Sequence, residues 1–271
     1  MILKKNRLAT CPIGIFDSGI GGLTIANAIR NRLPSESLIY YGDTAHLPYG
    51  EKSADAIRYY ALRISKFLLD KNCKIIVIAC NSASSAAYDI LIDFFEGKVL
   101  FVNVVDPMID AVSNKAYQKI GVIATKATIN TGIYRRKIKH VNQRQKVIEL
   151  ATPLLAPMIE EGFHHELISQ TVIENYLQTP ELKDIDALLL ACTHYPLIKD
   201  QIDKYFDHTV DVFDATSLVA EEVYQKLAGE KLLTNLQPPQ HQFFVSDYTD
   251  SFEKTTKLFY RNQVKLVHKP L

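Results

Sequence analysis

Two cysteines stand at matching places in this 271-residue chain. Each closes an apolar run and is followed at once by polar residues: Ile76-Val77-Ile78-Ala79-Cys80-Asn81-Ser82 and Leu188-Leu189-Leu190-Ala191-Cys192-Thr193-His194. An unperturbed thiol has a pKa of about 8.5, so thiol and thiolate coexist near neutral pH and both are available for proton transfer. Two thiols on opposite walls can take a proton from one face of a carbon and supply one to the other. Swapping their protonation states reverses the reaction, so a symmetric pair suits inversion of a single stereocentre. A cysteine ending an apolar strand is otherwise an ordinary core residue. The polar residues that follow, and the matching positions, favour chemistry for Cys80 and Cys192. Cys11 and Cys73 lack both features and read as structural. No C-x-x-C pair is present, and the spacing of the four cysteines suits neither a zinc site nor a disulfide scaffold.

Other residues fall into place around that pair. His194 lies two residues after Cys192, where an imidazole can assist thiolate formation or proton transfer. Asp17-Ser18-Gly19-Ile20-Gly21-Gly22 follows the first apolar run and opens a helix. Its glycines would let the backbone approach a ligand, and the helix N-terminus favours an anion such as a carboxylate. It is not a dinucleotide fingerprint, because Thr24 stands where the third glycine is due, and no Gly-Lys-Ser/Thr follows to make a P-loop. Gly42-Asp43-Thr44-Ala45-His46-Leu47-Pro48-Tyr49-Gly50 reads as a shaped loop after the second run. His164-His165-Glu166 lacks H-E-x-x-H spacing and reads as an exposed helix start, and no G-x-S-x-G elbow is present.

These residues need a scaffold that presents strand ends to one another. Candidate strands run over Ile13–Phe16, Leu38–Tyr41, Ile75–Ala79, Val99–Val105, Ile120–Ala124, Val147–Leu150, Ala187–Ala191, Val210–Phe213 and Gln242–Val245. Helix-period stretches separate them, among them Ile57 to Leu68, with Ser53 as N-cap, then Ser84–Phe95 and Ser217–Leu227. Continuous apolar strands alternating with helices mean parallel sheets covered on both faces, so the fold class is α/β. A faint internal repeat pairs Ile13–Ser18 with Ile120–Thr125, and Ile76–Asn81 with Leu188–Thr193, at similar offsets. The expectation is two pseudo-symmetric, doubly wound units, each around a mainly parallel sheet. Their strand C-termini would meet across a cleft, where open α/β sheets bind ligands. The expected division is 1–104 plus 214–271 for one unit and 105–213 for the other.

Composition narrows the partners. Thirty-one Lys and Arg against thirty Asp and Glu leave a formal charge of +1. That gives no support for a nucleic-acid or membrane-surface role, and the Arg135-Arg136-Lys137 cluster reads as a solvated helix face. The basic start, Met1 to Arg7, is followed by Pro12, Gly14 and Asp17, which interrupt any signal-peptide core. No apolar run approaches the roughly 18 residues that span a bilayer, so a cytoplasmic location is expected. The assembly is left open, a homodimer included.

Six segments together carry a family resemblance: Ile13–Thr24, Tyr40–Gly50, Ile78–Ser84, Gly121–Ile129, Pro153–Glu160 and Ala191–Ile198. On these, the chain resembles the bacterial glutamate racemases of the aspartate/glutamate racemase superfamily, from about Ile13 to Phe259. The resemblance implies two pseudo-symmetric α/β domains, a site between them, and no cofactor or metal. It implies that Cys80 acts on D-glutamate and Cys192 on L-glutamate, with the product D-glutamate used in peptidoglycan synthesis. It further implies substrate contacts at Asp17, Ser18, Tyr49, Gly50, Asn81, Ser82, Thr193 and His194, with Thr125, Thr128 and Glu160 as additional candidates. Ser82, His46, Ala191 and Ala124 stand where that family usually has Thr, Arg, Gly and Gly. The readings that compete are an aspartate racemase, a thiol hydrolase built on one cysteine and His194, and a binding module without turnover.

Overall fold

The computed structural model describes residues 9–235, 238–262 and 264–271; the N-terminal stretch weighed above as a leader, residues 1–7, lies outside them. The strands are β1 (Ile13–Asp17), β2 (Leu38–Gly42), β3 (Ile75–Ile78), β4 (Leu100–Asn103), β5 (Lys119–Ala124), β6 (Lys146–Ala151), β7 (Ala187–Ala191), β8 (Asp211–Asp214), β9 (His241–Val245) and β10 (Leu266–His268). They build two sheets, ordered β10-β9-β2-β1-β3-β4 and β6-β5-β7-β8. Every pairing among them is parallel. The helices are α1 (Leu23–Arg32), α2 (Ala54–Asp70), α3 (Asn81–Phe94), α4 (Val105–Ser113), α5 (Lys126–Thr131), α6 (Ile133–Val141), α7 (Leu155–Glu160), α8 (Leu167–Leu177), α9 (Lys199–Tyr205), α10 (Ala215–Gly229) and α11 (Asp250–Tyr260).

The α/β class follows from the strands themselves. β1, β2, β3 and β7 are buried at every position, as strands covered by helices on both faces must be. α2 begins where Ser53 accepts the Ala56 N–H, and it buries Ile57, Ala61, Ile64 and Leu68 on one stripe. The four-strand core of each sheet has the same order, β2-β1-β3-β4 and β6-β5-β7-β8. The sequence repeat is therefore a repeat of topology. α10 packs on α1 and carries the chain back to the first sheet, where β9 joins β2. The larger apolar cluster runs unbroken from Ile13 and Val77 to Val122 and Leu188.

Several boundaries differ from the sequence reading. The strand expected over Val99–Val105 stops at Asn103, whose Oδ1 accepts the Val105 and Asp106 N–H groups at 2.8 and 2.9 Å and turns the chain into α4. α3 begins at Asn81, directly after Cys80, three residues ahead of the expected start. β10 was not anticipated, because three residues carry no periodic signal. His164 is buried in a 3₁₀ turn before α8 rather than exposed, and its carbonyl accepts from Gln201. The basic cluster lies on α6 as read, with Tyr134 and Ile138 turned inward and Arg135 paired to Glu149 at 3.0 Å. Among the described residues, no helix is long and apolar enough to cross a membrane.

Candidate active site

In each sheet the chain first steps from its central strand to one side, then returns to pair on the other. That reversal lies between β1 and β3 in one sheet and between β5 and β7 in the other. Strand C-termini at such a switch point diverge and leave a crevice. Ser18 follows β1 and Cys80 comes two residues after β3; Thr125 follows β5 and Cys192 follows β7. The two crevices share one cavity of about 220 Å³, below the roughly 300–1,000 Å³ that drug-sized ligands occupy. Ser18, Tyr49, Gly50, Cys80, Asn81 and Ser82 line it from one side; Thr125, Glu160, Cys192, Thr193 and His194 line it from the other. Both thiols are buried, 6% and 8% exposed.

The Cys192 wall holds a chain of three groups. Cys192 Sγ lies 3.5 Å from His194 Nδ1, and His194 Nε2 lies 2.8 Å from Glu160 Oε1. Burial opposes a charge on His194, but the Cys192 sulphur and the Glu160 carboxylate outweigh it and hold the imidazole well above its ordinary value. Burial raises Glu160 and the bond from His194 overrides that, leaving the carboxyl below its usual range. The ring is packed edge-on against Phe259, with centroids 5.4 Å apart. The ring also lies against Gly21, where a Cβ would overlap the imidazole. The glycine that was expected to admit a ligand admits this ring instead. Thr24 on α1 also donates to the Thr193 carbonyl at 3.1 Å, tying the two units together beside the site.

The Cys80 wall has the opposite electrostatics. Burial, together with the neighbouring Asp17 carboxylate, pushes the Cys80 thiol up to about 12. Its Sγ donates to Ser18 Oγ at 3.7 Å. Asp17 itself does not reach the cavity lining. It sits fully buried behind it, with Oδ2 accepting the Gly22 N–H at 2.9 Å and the Gly19 N–H at 3.3 Å. The anion held at the start of α1 is thus the protein's own. Burial raises Asp17, and its Oδ1 has no hydrogen-bond partner among the described residues.

Hydroxyls and amides form the remaining surface. Ser82 Oγ lies 2.9 Å from Thr125 Oγ1 and 3.3 Å from Thr128 Oγ1, bridging α3 to the start of α5. Thr128 stands behind this wall, not in the lining. Asn81 Oδ1 accepts from the Tyr134 hydroxyl at 2.6 Å. Gly50 meets Thr125 across the cleft so closely that a Cβ would stand 2.8 Å from the threonine Cβ. The Tyr49 hydroxyl turns away to Asp43 Oδ2 at 2.6 Å, so Tyr49 offers the cavity its ring and backbone only. Asp43 Oδ1 also receives Ser246 Oγ at 2.7 Å and His46 Nδ1 at 2.8 Å, while His46 stacks on Tyr60. His46 thus anchors the loop from outside the cavity. Ala124 and Ala191 are register partners on β5 and β7, and Ala191 reaches the cavity wall.

Leu47, Pro48, Ala156, Pro157 and Ala191, which the sequence does not single out as substrate contacts, complete the lining. Apolar lining residues carry no signal by type. Sequence reasoning also missed the residues that hold the site from behind: Thr24, Asp43, Tyr134 and Phe259. Among the described residues, no group of three or more His, Cys, Asp or Glu is arranged to hold a metal ion.

With this geometry in view, comparison with known proteins is informative. Residues 23–223 match the Asp/Glu/hydantoin racemase family. The chain belongs to that family. A glutamate racemase from Neisseria meningitidis serogroup C is 41% identical over 251 residues, covering 92% of each chain. The glutamate racemase of Francisella tularensis, solved in complex with D-glutamate, superposes with a TM-score of 0.91 at 37% identity, over 96% of this chain and 98% of that one. The Thermus thermophilus glutamate racemase, solved with β-chloro-D-alanine, superposes at 0.88 with 35% identity, over 97% and 98% of the two chains. As a member of the racemase family, the chain carries its two cleft thiols on a two-unit α/β scaffold shared with these structures.

Proposed function

We propose that this chain is a glutamate racemase, an isomerase that interconverts L- and D-glutamate by cofactor-independent 1,1-proton transfer between two thiols. The observation that carries the reading is the placement of Cys80 and Cys192 at equivalent strand ends of two sheets with the same four-strand core, on one shared cavity. The likeness to relatives named glutamate racemase, over nearly the whole chain, supports the substrate. Following the family resemblance, Cys192 serves the L-enantiomer and Cys80 the D-enantiomer. In the L-to-D direction, Cys192 as thiolate removes the α-proton with His194 as its cationic neighbour. Cys80, kept as a thiol by burial and Asp17, supplies a proton to the opposite face. The α-carboxylate and side-chain carboxylate lie against Ser18, Asn81, Ser82, Thr125 and Thr193 and the backbone at Tyr49 and Gly50. Hydrogen bonds there stabilise the carbanion-like transition state. Asp17, Thr128 and Glu160 act through their neighbours.

We place the division into two domains near 104/105 and 213/214, a reading that the presence of two separate sheets supports. The enzyme works in the cytoplasm, supplying D-glutamate for peptidoglycan synthesis, and its partner is the amino acid rather than nucleic acid or membrane. A homodimer is compatible with this scheme and is not needed by it.

The test is α-proton exchange in D₂O with each glutamate enantiomer, for the wild type, Cys80→Ser and Cys192→Ser. Wild type should place solvent deuterium at the α-carbon, and either substitution should lower racemisation by at least about a hundred-fold. Full racemisation in Cys192→Ser would overturn the two-thiol scheme. Exchange with aspartate but not glutamate would move the substrate.

A further inference from the structure

Asn81 stands at the first turn of α3 and lines the cavity, and its primary amide can present either of two faces. Turned one way it offers two N–H donors; turned the other way, a carbonyl oxygen. A carboxylate is drawn to the first and repelled by the second. The Tyr134 hydroxyl, 2.6 Å from Asn81 Oδ1, lies on α6 in the other unit, and Tyr134 is fully buried.

A buried phenol must place its hydrogen on an acceptor, because an unmade bond there costs its full desolvation. Asn81 Oδ1 is the acceptor that it reaches. Burial also raises the Tyr134 phenol far above its ordinary value, so the hydroxyl keeps its proton and can act as donor. With Oδ1 occupied, the Asn81 amide nitrogen is the atom left for the cavity.

We propose that Tyr134 is a positioning residue that fixes the polarity of the Asn81 amide, turning its N–H donors to a carboxylate of the bound amino acid. The proposal rests on Asn81 as a substrate contact. Because the hydroxyl comes from the opposite unit, the donor face is set only when the two units are packed together as they are here.

The experiment is steady-state racemisation of both glutamate enantiomers by Tyr134→Phe, Asn81→Ala and the double variant, with thermal melts recorded alongside. Tyr134→Phe keeps the ring in the core and removes one oxygen. It should raise KM about ten-fold for both enantiomers, the scale of one charge-assisted hydrogen bond, with kcat within about three-fold of wild type. In the Asn81→Ala background the same change should add nothing to KM, since two members of one bond are not additive. Asn81→Asp, of nearly equal size, offers the cavity an acceptor whatever Tyr134 does, and should raise KM at least as much. If Tyr134→Phe fails to fold, Asn81→Asp still decides: an unchanged KM in that variant overturns the polarity argument. An unchanged KM in Tyr134→Phe, or KM effects that multiply in the double variant, overturns the role given to Tyr134. If Asn81→Ala alone leaves KM and kcat intact, the substrate contact itself is what falls.

Discussion

Burial alone would strip the proton from His194, yet the Cys192 sulphur and the Glu160 carboxylate hold its value well above the ordinary 6.5. The sign for stability follows directly. With the folded value above the unfolded one, the stabilisation is complete below about pH 6.5 and is lost as pH rises through the folded value. The same proton serves the Cys192 wall, so kcat should fall on the alkaline side. Glu160→Gln keeps a hydrogen-bond partner 2.8 Å from Nε2 but removes its charge. A kcat profile against pH should show the alkaline limb of this variant displaced to lower pH, with kcat at pH 9 down on the order of a hundred-fold. An unmoved limb would mean that His194 does not carry the titration. In the sequence, the spacing of His194 from Cys192 was visible, whereas its bond to Glu160, 34 positions away, was not. A local pattern cannot show a contact made by packing.

At the scale of elements, the glycine turn between β1 and α1 shows how a correct local reading leaves the purpose open. Its glycines were legible as a close approach of backbone to something. The tertiary structure makes that something the His194 ring at Gly21, while the Gly22 N–H just before α1 goes to Asp17 and those of Leu23 and Thr24 go to the carbonyls of Ile20 and Gly21. Gly21→Ala should therefore act on the second unit's chemistry from the first unit's loop. The methyl would push the imidazole off Cys192 and Glu160, and kcat should fall about a hundred-fold with far-ultraviolet circular dichroism unchanged. A kcat within a few-fold of wild type would show that the ring has room to move. Strand existence was legible, β10 apart, because short apolar runs encode buried strands locally. Strand ends were less so: Asn103 terminates β4 through its own side chain, and β10 is held by its pairing to β9.

For the whole molecule, stability and chemistry lie at opposite ends of the strands. Just before β3, Lys74 Nζ lies 2.5 Å from Glu36 Oε2, with both side chains almost fully buried. The same nitrogen donates to the carbonyls of Ala9 and Leu232, at 2.7 and 2.8 Å, and Glu36 Oε1 accepts from Thr234 N. Burial pulls Lys74 down and pushes Glu36 up, and their pairing offsets only part of each shift. Lys74→Met leaves a buried carboxylate without its cation and should cost about 3–5 kcal/mol in urea unfolding. Adding Glu36→Leu should recover most of that loss, with KM for glutamate unchanged in the folded double variant. No recovery would mean that the backbone contacts of Lys74, not its charge, hold this corner.

By itself the sequence determined the α/β class, the paired strand-end cysteines and the family likeness. Each is written in short contiguous stretches whose periodicity and residue types act locally. Only the tertiary structure decided which groups face the cleft. It turned the Tyr49 hydroxyl to Asp43, set Asp17 and Thr128 behind the walls, and brought Tyr134 across to Asn81. Those choices depend on how two sheets, whose equivalent strands β1 and β5 start as far apart as Ile13 and Lys119, bury one continuous core against each other. No window of sequence contains both sides of that contact.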